Sequence, residues 1–228
     1  MGLIGKQVKI LDLDDGSRNV SVKRAGPFND WSTLRAYLQD ESKWQGIDVV
    51  GIDSLTRAEE LAIDWTLENV TNDKGQKVRS IEGYGYGKGY QHVYDTFLSI
   101  LADLDQHRRT GRDVVLVCHE CTSAVPNPAG DDYICYQPRL QSLSSGKSSI
   151  RYRVKEWADH LFFVGYDVFS EDGKATGSGT RTIYAQEQPT HWAKTRAGDR
   201  IPGPIPYEKG SAQLWVQLFG KDVTDAGN

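Results

Sequence analysis

Three short apolar runs in this chain each lead to a residue that could do chemistry. Val8-Lys9-Ile10-Leu11-Asp12-Leu13-Asp14-Asp15-Gly16 carries Asp14 into an acidic turn. Asp48-Val49-Val50-Gly51-Ile52-Asp53-Ser54-Leu55-Thr56 ends on an acid followed by a hydroxyl residue. Asp113 to Val117 is near-continuously apolar and is followed by Cys118-His119-Glu120. Runs of this kind read as buried parallel strands, and side chains at their carboxyl ends can meet a ligand. Carboxylates there suit a magnesium ion, which takes hard oxygen ligands and is often held through water. Two acids and a histidine at three strand ends form a more specific signal than any one of them. The plainer reading of Asp53 and Ser54 is a helix N-cap before Thr56-Arg57-Ala58-Glu59-Glu60.

Helices must alternate with these strands to carry them. Asn29-Asp30 caps a helix through about Gln39, with Trp31, Leu34 and Leu38 on one face. A second helix is expected from about Thr56 to Val70, and a long one from about Gln91 to Arg109, stopped by Gly111. The long one has the stripe Val93, Phe97, Ile100, Leu101 and Leu104. Strands alternating with helices predict an α/β fold with a mainly parallel sheet. Asn19 to Lys23 reads as a further short strand. Residues 71 to 89 read as a polar, glycine-dense loop, and 121 to 148 as a long loop rich in Pro, Gly, Ser and Asp.

The carboxyl-terminal part reads differently. A helix from about Ser149 to His160 leads into the strand Leu161 to Tyr166. Glycine-rich residues 173 to 179 then join it to a hairpin partner, Thr180 to Ala185. Ile201-Pro202-Gly203-Pro204-Ile205-Pro206 excludes helix and inner strand. Leu214 to Phe219 is expected to dock on the core, within a single core over residues 1–220, and residues 221–228 to fray.

Composition narrows the setting. In 228 residues, 38% hydrophobic and 25% charged, there is enough apolar material for a full α/β core without disulfides. The net charge of −4 does not advertise nucleic acid over the whole surface, so any such site is a local patch. Three cysteines and no signal-peptide pattern favour a reducing cytosol. Cys118-x-x-Cys121 lacks the second ligand pair that a zinc site requires. No apolar run approaches the roughly 20 residues of a membrane span.

Taken in order, these segments resemble the phage-encoded RecA-like P-loop ATPases of single-strand DNA annealing and recombination. The resemblance rests on Leu11-Asp12-Leu13-Asp14-Asp15-Gly16, Val49-Val50-Gly51-Ile52-Asp53-Ser54, Tyr86-Gly87-Lys88-Gly89-Tyr90, and Val114-Val115-Leu116-Val117-Cys118-His119-Glu120. It continues through Val154-Lys155-Glu156-Trp157-Ala158-Asp159 to Ala193-Lys194-Thr195-Arg196. The resemblance implies ATP and Mg2+ as cofactors, a homo-oligomeric ring or filament, single-stranded DNA as partner, and the cytoplasm of a bacterial host. It implies that Asp14 activates the attacking water, although Glu is more usual there. Asp53 would hold magnesium through water, Asp53 and Ser54 would form part of the cofactor site, and His119 would sense the terminal phosphate. Lys194 and Arg196 would reach a neighbouring subunit's nucleotide.

One departure stands out. The family's phosphate-binding loop, Gly-x-x-x-x-Gly-Lys-Ser/Thr, should precede the strand at Val8, where only Met1 to Gln7 stand. Its absence predicts poor hydrolysis and a gap in the middle of the sheet, whether the chain is a fragment or a natural shortened relative. Gln141-Ser142-Leu143-Ser144-Ser145-Gly146-Lys147-Ser148 fits the motif apart from its first glycine, but no strand is expected before it. The alternative function is a non-catalytic protein that binds single-stranded DNA or partner subunits.

Between Arg139 and Lys155 stand five basic residues (Arg139, Lys147, Arg151, Arg153, Lys155) and no acid. A patch of this kind suits phosphate contact, and Tyr133, Tyr136 and Tyr152 could stack on unpaired bases. The plainer reading of the same residues is a solvated helix face with a tethering loop.

Overall fold

The structure is a computed structural model that describes residues 5–143, 146–172 and 174–219. These fall into two compact units where the sequence suggests one core: residues 5–119 with 138–152, and residues 120–137 with 153–219. The tail 221–228 lies outside the described residues.

The first unit is built on a parallel sheet. Its elements are β1 (Val8–Asp12), β2 (Lys23–Ala25), α1 (Trp31–Gln39), β3 (Val49–Asp53), α2 (Leu55–Asn69), α3 (Lys88–Arg109) and β4 (Asp113–Val117). The strand order is β2-β1-β3-β4, with every neighbouring pair parallel. Val49, Val50 and Ile52 are buried on β3, as an inner strand covered on both faces requires. No gap interrupts these four strands; the sheet ends at β4, where Val117 is 45% exposed. The interruption expected inside the sheet is therefore an outer edge among the described residues.

Local chemistry sets the helices. The Asp30 carboxylate accepts from the Thr33 N–H at 2.8 Å and starts α1, which buries Trp31, Leu34 and Leu38 on one stripe. Val93, Phe97, Ile100, Leu101 and Leu104 form the buried stripe of α3. Each such side chain contributes about 1.5–3 kcal/mol when fully removed from water. The expected loop before α3 holds a short turn of 3-10 helix, Ile81–Tyr84. Tyr84 anchors it, with its hydroxyl 3.0 and 2.9 Å from the carbonyl oxygens of Thr66 and Val70. Gly89 is required there, because a Cβ would stand 2.1 Å from the Ile81 carbonyl oxygen.

The second unit is mostly antiparallel. It contains β5 (Glu120–Val125), β6 (Tyr133–Pro138), β7 (His160–Leu161), β8 (Phe163–Glu171), β9 (Lys174–Tyr184), β10 (Lys194–Thr195), β11 (Ile205–Pro206) and α5 (Gln213–Phe219). The unit boundary runs through α4 (Ile150–Trp157) and between the last residues of β6. β8 and β9 form the expected hairpin, with β11 on the outer side of β9. Ile183, Ala185, Ile201, Ile205, Leu214 and Leu218 make its core, so the segment Leu214 to Phe219 does dock.

Three readings of the sequence need correction. The expected long loop 121–148 contains β5 and β6, which pair with each other. Pro126, Pro128, Gly130 and Asp131 sit in the connection and dominate its composition, while Cys135 and Gln137 alternate inward on β6. The partner of β8 begins at Lys174 rather than Thr180. Its glycines serve the pairing: a Cβ on Gly177 would lie 2.8 Å from the Asp167 carbonyl oxygen, beside an irregularity between Tyr166 and Val168. The strand expected at Asn19 to Lys23 is instead β2, which starts at Lys23.

Candidate functional site

The carboxyl ends of β1, β3 and β4 gather the three candidate groups. Asp12 stands opposite Asp53 in the register of β1 and β3, and Asp53 opposite Val117 in that of β3 and β4. Asp14 and His119 each follow two residues beyond those positions, and His119 Nε2 lies 3.9 Å from Asp14 Oδ2.

The acids have different duties. Asp12 is buried and closes the turn after β1: it accepts from the N–H groups of Gly16 and Ser17, both at 3.0 Å, and from the Ser17 hydroxyl at 2.5 Å. Burial pushes its carboxyl up, but the hydrogen bonds from Ser17 and Gly16, with the charge of Arg24, hold it below the usual carboxylate range. Asp14 is open to solvent. Asp53 is half-buried; burial and then the charges of Asp14 and Asp12 push its carboxyl up, while His119 pulls it down.

Ser54 takes the capping position. Its buried Oγ accepts from the Arg57 N–H at 3.2 Å and starts α2. Two residues on, buried Thr56 ties three segments together. Its Oγ1 accepts from the His119 N–H at 3.2 Å, donates to the Arg139 carbonyl at 3.3 Å, and lies 3.3 Å from Cys118 Sγ. Arg139 in turn meets His119 twice: its N–H donates to the His119 carbonyl at 2.8 Å, and its Nη2 to His119 Nδ1 at 2.8 Å. One turn along α2, the nearly buried Glu59 accepts from the Gln141 N–H at 2.6 Å. Burial pushes Glu59 up to about 7, with the Gln141 bond and the charge of Arg151 opposing. Sequence reasoning missed Thr56 and Glu59 as parts of this site; the signal was a glutamate on the stripe of Leu55, Ala58 and Ala62.

The remaining candidate residues do not join this group. Lys194 lies in the second unit, where its Nζ donates to the carbonyls of Lys155, Glu156 and Ala158 at 2.7, 3.3 and 2.6 Å, at the end of α4. Arg196 pairs there with Asp159 and donates to the Glu156 carbonyl at 3.2 Å. The basic segment is largely engaged within the chain. Arg151 donates to the Leu140 carbonyl through Nε at 3.2 Å and Nη2 at 3.0 Å, and Arg153 lies 3.9 Å from Glu156. Lys155 pairs with Glu187 at 2.6 Å and covers the Trp192 ring at 4.2 Å.

The motif-like stretch 141–148 follows β6, so a strand does precede it. That strand belongs to the ribbon with β5 rather than to the parallel sheet, and α4 begins only at Ile150, after Lys147 and Ser148. Ser148 donates to Gln91 Oε1. Ser144 and Ser145, like Met1 to Ile4 of the other Gly-Lys stretch, lie outside the described residues. α3 opens on Gly87-Lys88, but a 3-10 turn leads into it and Lys88 pairs with Asp73.

The acids fit magnesium. Asp53 and Asp14 offer hard oxygens, and a divalent cation would relieve the like-charge repulsion that adds to burial in raising Asp53. A triphosphate finds these acids and the donor groups of His119 and Arg139, but no parallel strand among the described residues runs into a glycine-rich Lys-Ser/Thr turn. Cys118, Cys121 and Cys135 form no disulfide among the described residues. No helix among the described residues is long and apolar enough to cross a membrane.

No curated protein matches the chain. A family model described as "AAA domain" matches residues 3–197. That span includes β1 through β10, and with them every acid, histidine and basic residue considered above. The chain belongs to the AAA domain family, a P-loop ATPase-like class of nucleotide-binding domains.

Proposed function

We propose that this chain is a RecA-like nucleotide-binding protein that acts on single-stranded DNA in phage recombination or repair. The observation that carries the nucleotide half is the meeting of Asp14, Asp53 and His119 at the carboxyl edge of one parallel sheet, with Asp53 raised by burial and then by its acidic neighbours. In this reading Asp53 would hold Mg2+ through water, Asp14 would orient and deprotonate the attacking water, and His119 would contact the terminal phosphate. When bound, magnesium would neutralise charge on the phosphates. The described residues supply no strand-borne phosphate cradle, so hydrolysis by these residues alone is slow.

The DNA half rests on the acid-free run of five basic residues from Arg139 to Lys155 in a chain of net charge −4. Lys194 and Arg196 serve a neighbouring subunit in a ring or filament, and Lys194 would have to leave the α4 carbonyls to do so. The test is thermal unfolding with Mg2+ and ATP, with and without a single-stranded oligonucleotide. Each ligand should raise the midpoint, and Asp53→Ala should abolish the nucleotide increment alone. No shift with either ligand would refute the proposal.

A further inference from the structure

The charge pattern of the sequence assigns Arg139 to a nucleic-acid patch, but its side chain turns to the acidic edge. Its Nη2 lies 2.8 Å from His119 Nδ1. A guanidinium has five N–H groups and no acceptor, and it stays charged at all working pH values. Arg139 is therefore the donor, and Nδ1 must present a lone pair. A neutral imidazole with a bare Nδ1 carries its proton on Nε2, the nitrogen that lies 3.9 Å from Asp14 Oδ2. Carboxylate, imidazole and guanidinium thus stand in a line whose polarity is set from the arginine end.

The backbone fixes both residues. The Arg139 N–H donates to the His119 carbonyl at 2.8 Å, the His119 N–H to Thr56 Oγ1 at 3.2 Å, and Thr56 Oγ1 to the Arg139 carbonyl at 3.3 Å. These bonds close a small ring that holds the two Cα atoms whatever the side chains do. The side-chain bond is then free for a single task, the orientation and tautomer of the imidazole.

We propose that Arg139 is a positioning residue that locks His119 as the Nε2–H tautomer and aims that N–H at Asp14. His119 then serves the acidic edge as a hydrogen-bond donor, to a water on Asp14 or to a phosphate oxygen. It cannot act there as a general base, because Nε2 already holds its proton. The base role falls to Asp14 alone. This assignment rests on the proposed nucleotide site for its purpose, but its geometry can be read with no nucleotide present.

The experiment is a two-bond proton–nitrogen correlation spectrum of the full chain with its five histidines labelled with nitrogen-15, recorded at alkaline pH. His119→Gln identifies the signals by their loss. The expected result is one tautomer at His119, with a bare Nδ1 and a protonated Nε2. Arg139→Met should convert this to averaged nitrogens, and Arg139→Lys, whose ammonium still donates, should restore the lock. The other four histidines report an intact fold. A protonated Nδ1 or averaged nitrogens in the unaltered protein would overturn the proposal, as would an unchanged His119 pattern in a folded Arg139→Met. Failure of nucleotide binding, by contrast, would count against the proposed function and leave the tautomer result standing.

Discussion

The Gln141 N–H donates at 2.6 Å, across 82 positions of sequence, to Oε1 of Glu59 on the buried face of α2. The contact joins the helix behind the acidic edge to the segment that carries Arg139. It also places a titratable group where water barely reaches.

Stability should therefore depend on pH through Glu59. Its folded value is about 7 against an ordinary 4.5, so the folded state holds the extra proton between these limits. The contribution is fully present below pH 4.5 and is lost as pH rises through about 7, by up to about 3 kcal/mol. Glu59→Gln keeps an acceptor for Gln141 and removes the titration. Denaturant unfolding from pH 5 to 8 should fall less steeply in the variant than in the parent. Equal slopes would show that Glu59 titrates normally.

His107 and His191 act in the opposite sense. Burial holds both below the ordinary imidazole range, so the unfolded state takes the proton first. Their contribution is present above about pH 6.5 and lost as pH falls through their lower folded values. His107→Gln should flatten the acid limb of the stability profile below about pH 6.5. An unaltered acid limb would contradict the assignment.

How far these features were legible follows from their physical range. Asp14, Asp53 and His119 could be placed because near-continuous apolar strands fix which end of the sheet their last residues reach. Ser54 satisfied the capping reading for an equally local reason. Glu59 was not legible as a site residue: its partner is 82 positions away, and no local rule brings them together. The contact of Arg139 with His119 was not legible either, because counting charges along the chain cannot show that a side chain turns back to an imidazole. β5 was hidden by Ser, Thr and Cys, which alternate without the apolar contrast that marks a strand.

Thr56 should matter more than its size suggests. Thr56→Val keeps the shape but leaves the His119 N–H without its acceptor and the Arg139 carbonyl without its donor. The expected loss is about 1–3 kcal/mol in chemical unfolding, with Mg-nucleotide affinity lowered as well. A change within about 0.5 kcal/mol would show that water replaces the hydroxyl fully.

Lys194 and Arg196 can be told apart. Lys194→Met should cost about 1–3 kcal/mol, because its ammonium serves the carbonyls at the end of α4. Arg196→Ala removes a surface pair with Asp159 and should cost under about 1 kcal/mol. Arg196→Ala should nevertheless weaken assembly in the presence of nucleotide, measured by sedimentation. Unchanged assembly would argue against a role across subunits.

For the basic segment, the salt dependence of single-stranded DNA binding is the discriminating quantity. Lys147→Ala should lower the slope of log affinity against log salt by about 0.7, alike for every sequence. Arg151→Ala should also cost stability, since its guanidinium holds the Leu140 carbonyl. A slope unaffected by Lys147→Ala would move the DNA site elsewhere or dismiss it.

The central claim is that the edge formed by Asp14, Asp53 and His119 binds a magnesium nucleotide. The most direct measurement is calorimetric titration of a non-hydrolysable ATP analogue into the protein, with Mg2+ and with chelator, for the parent chain and for Asp53→Ala. Saturable binding that requires Mg2+ and falls at least about tenfold in a folded Asp53→Ala is the predicted result. Binding that is indifferent to Mg2+ or to Asp53, or no binding at all, would contradict the account.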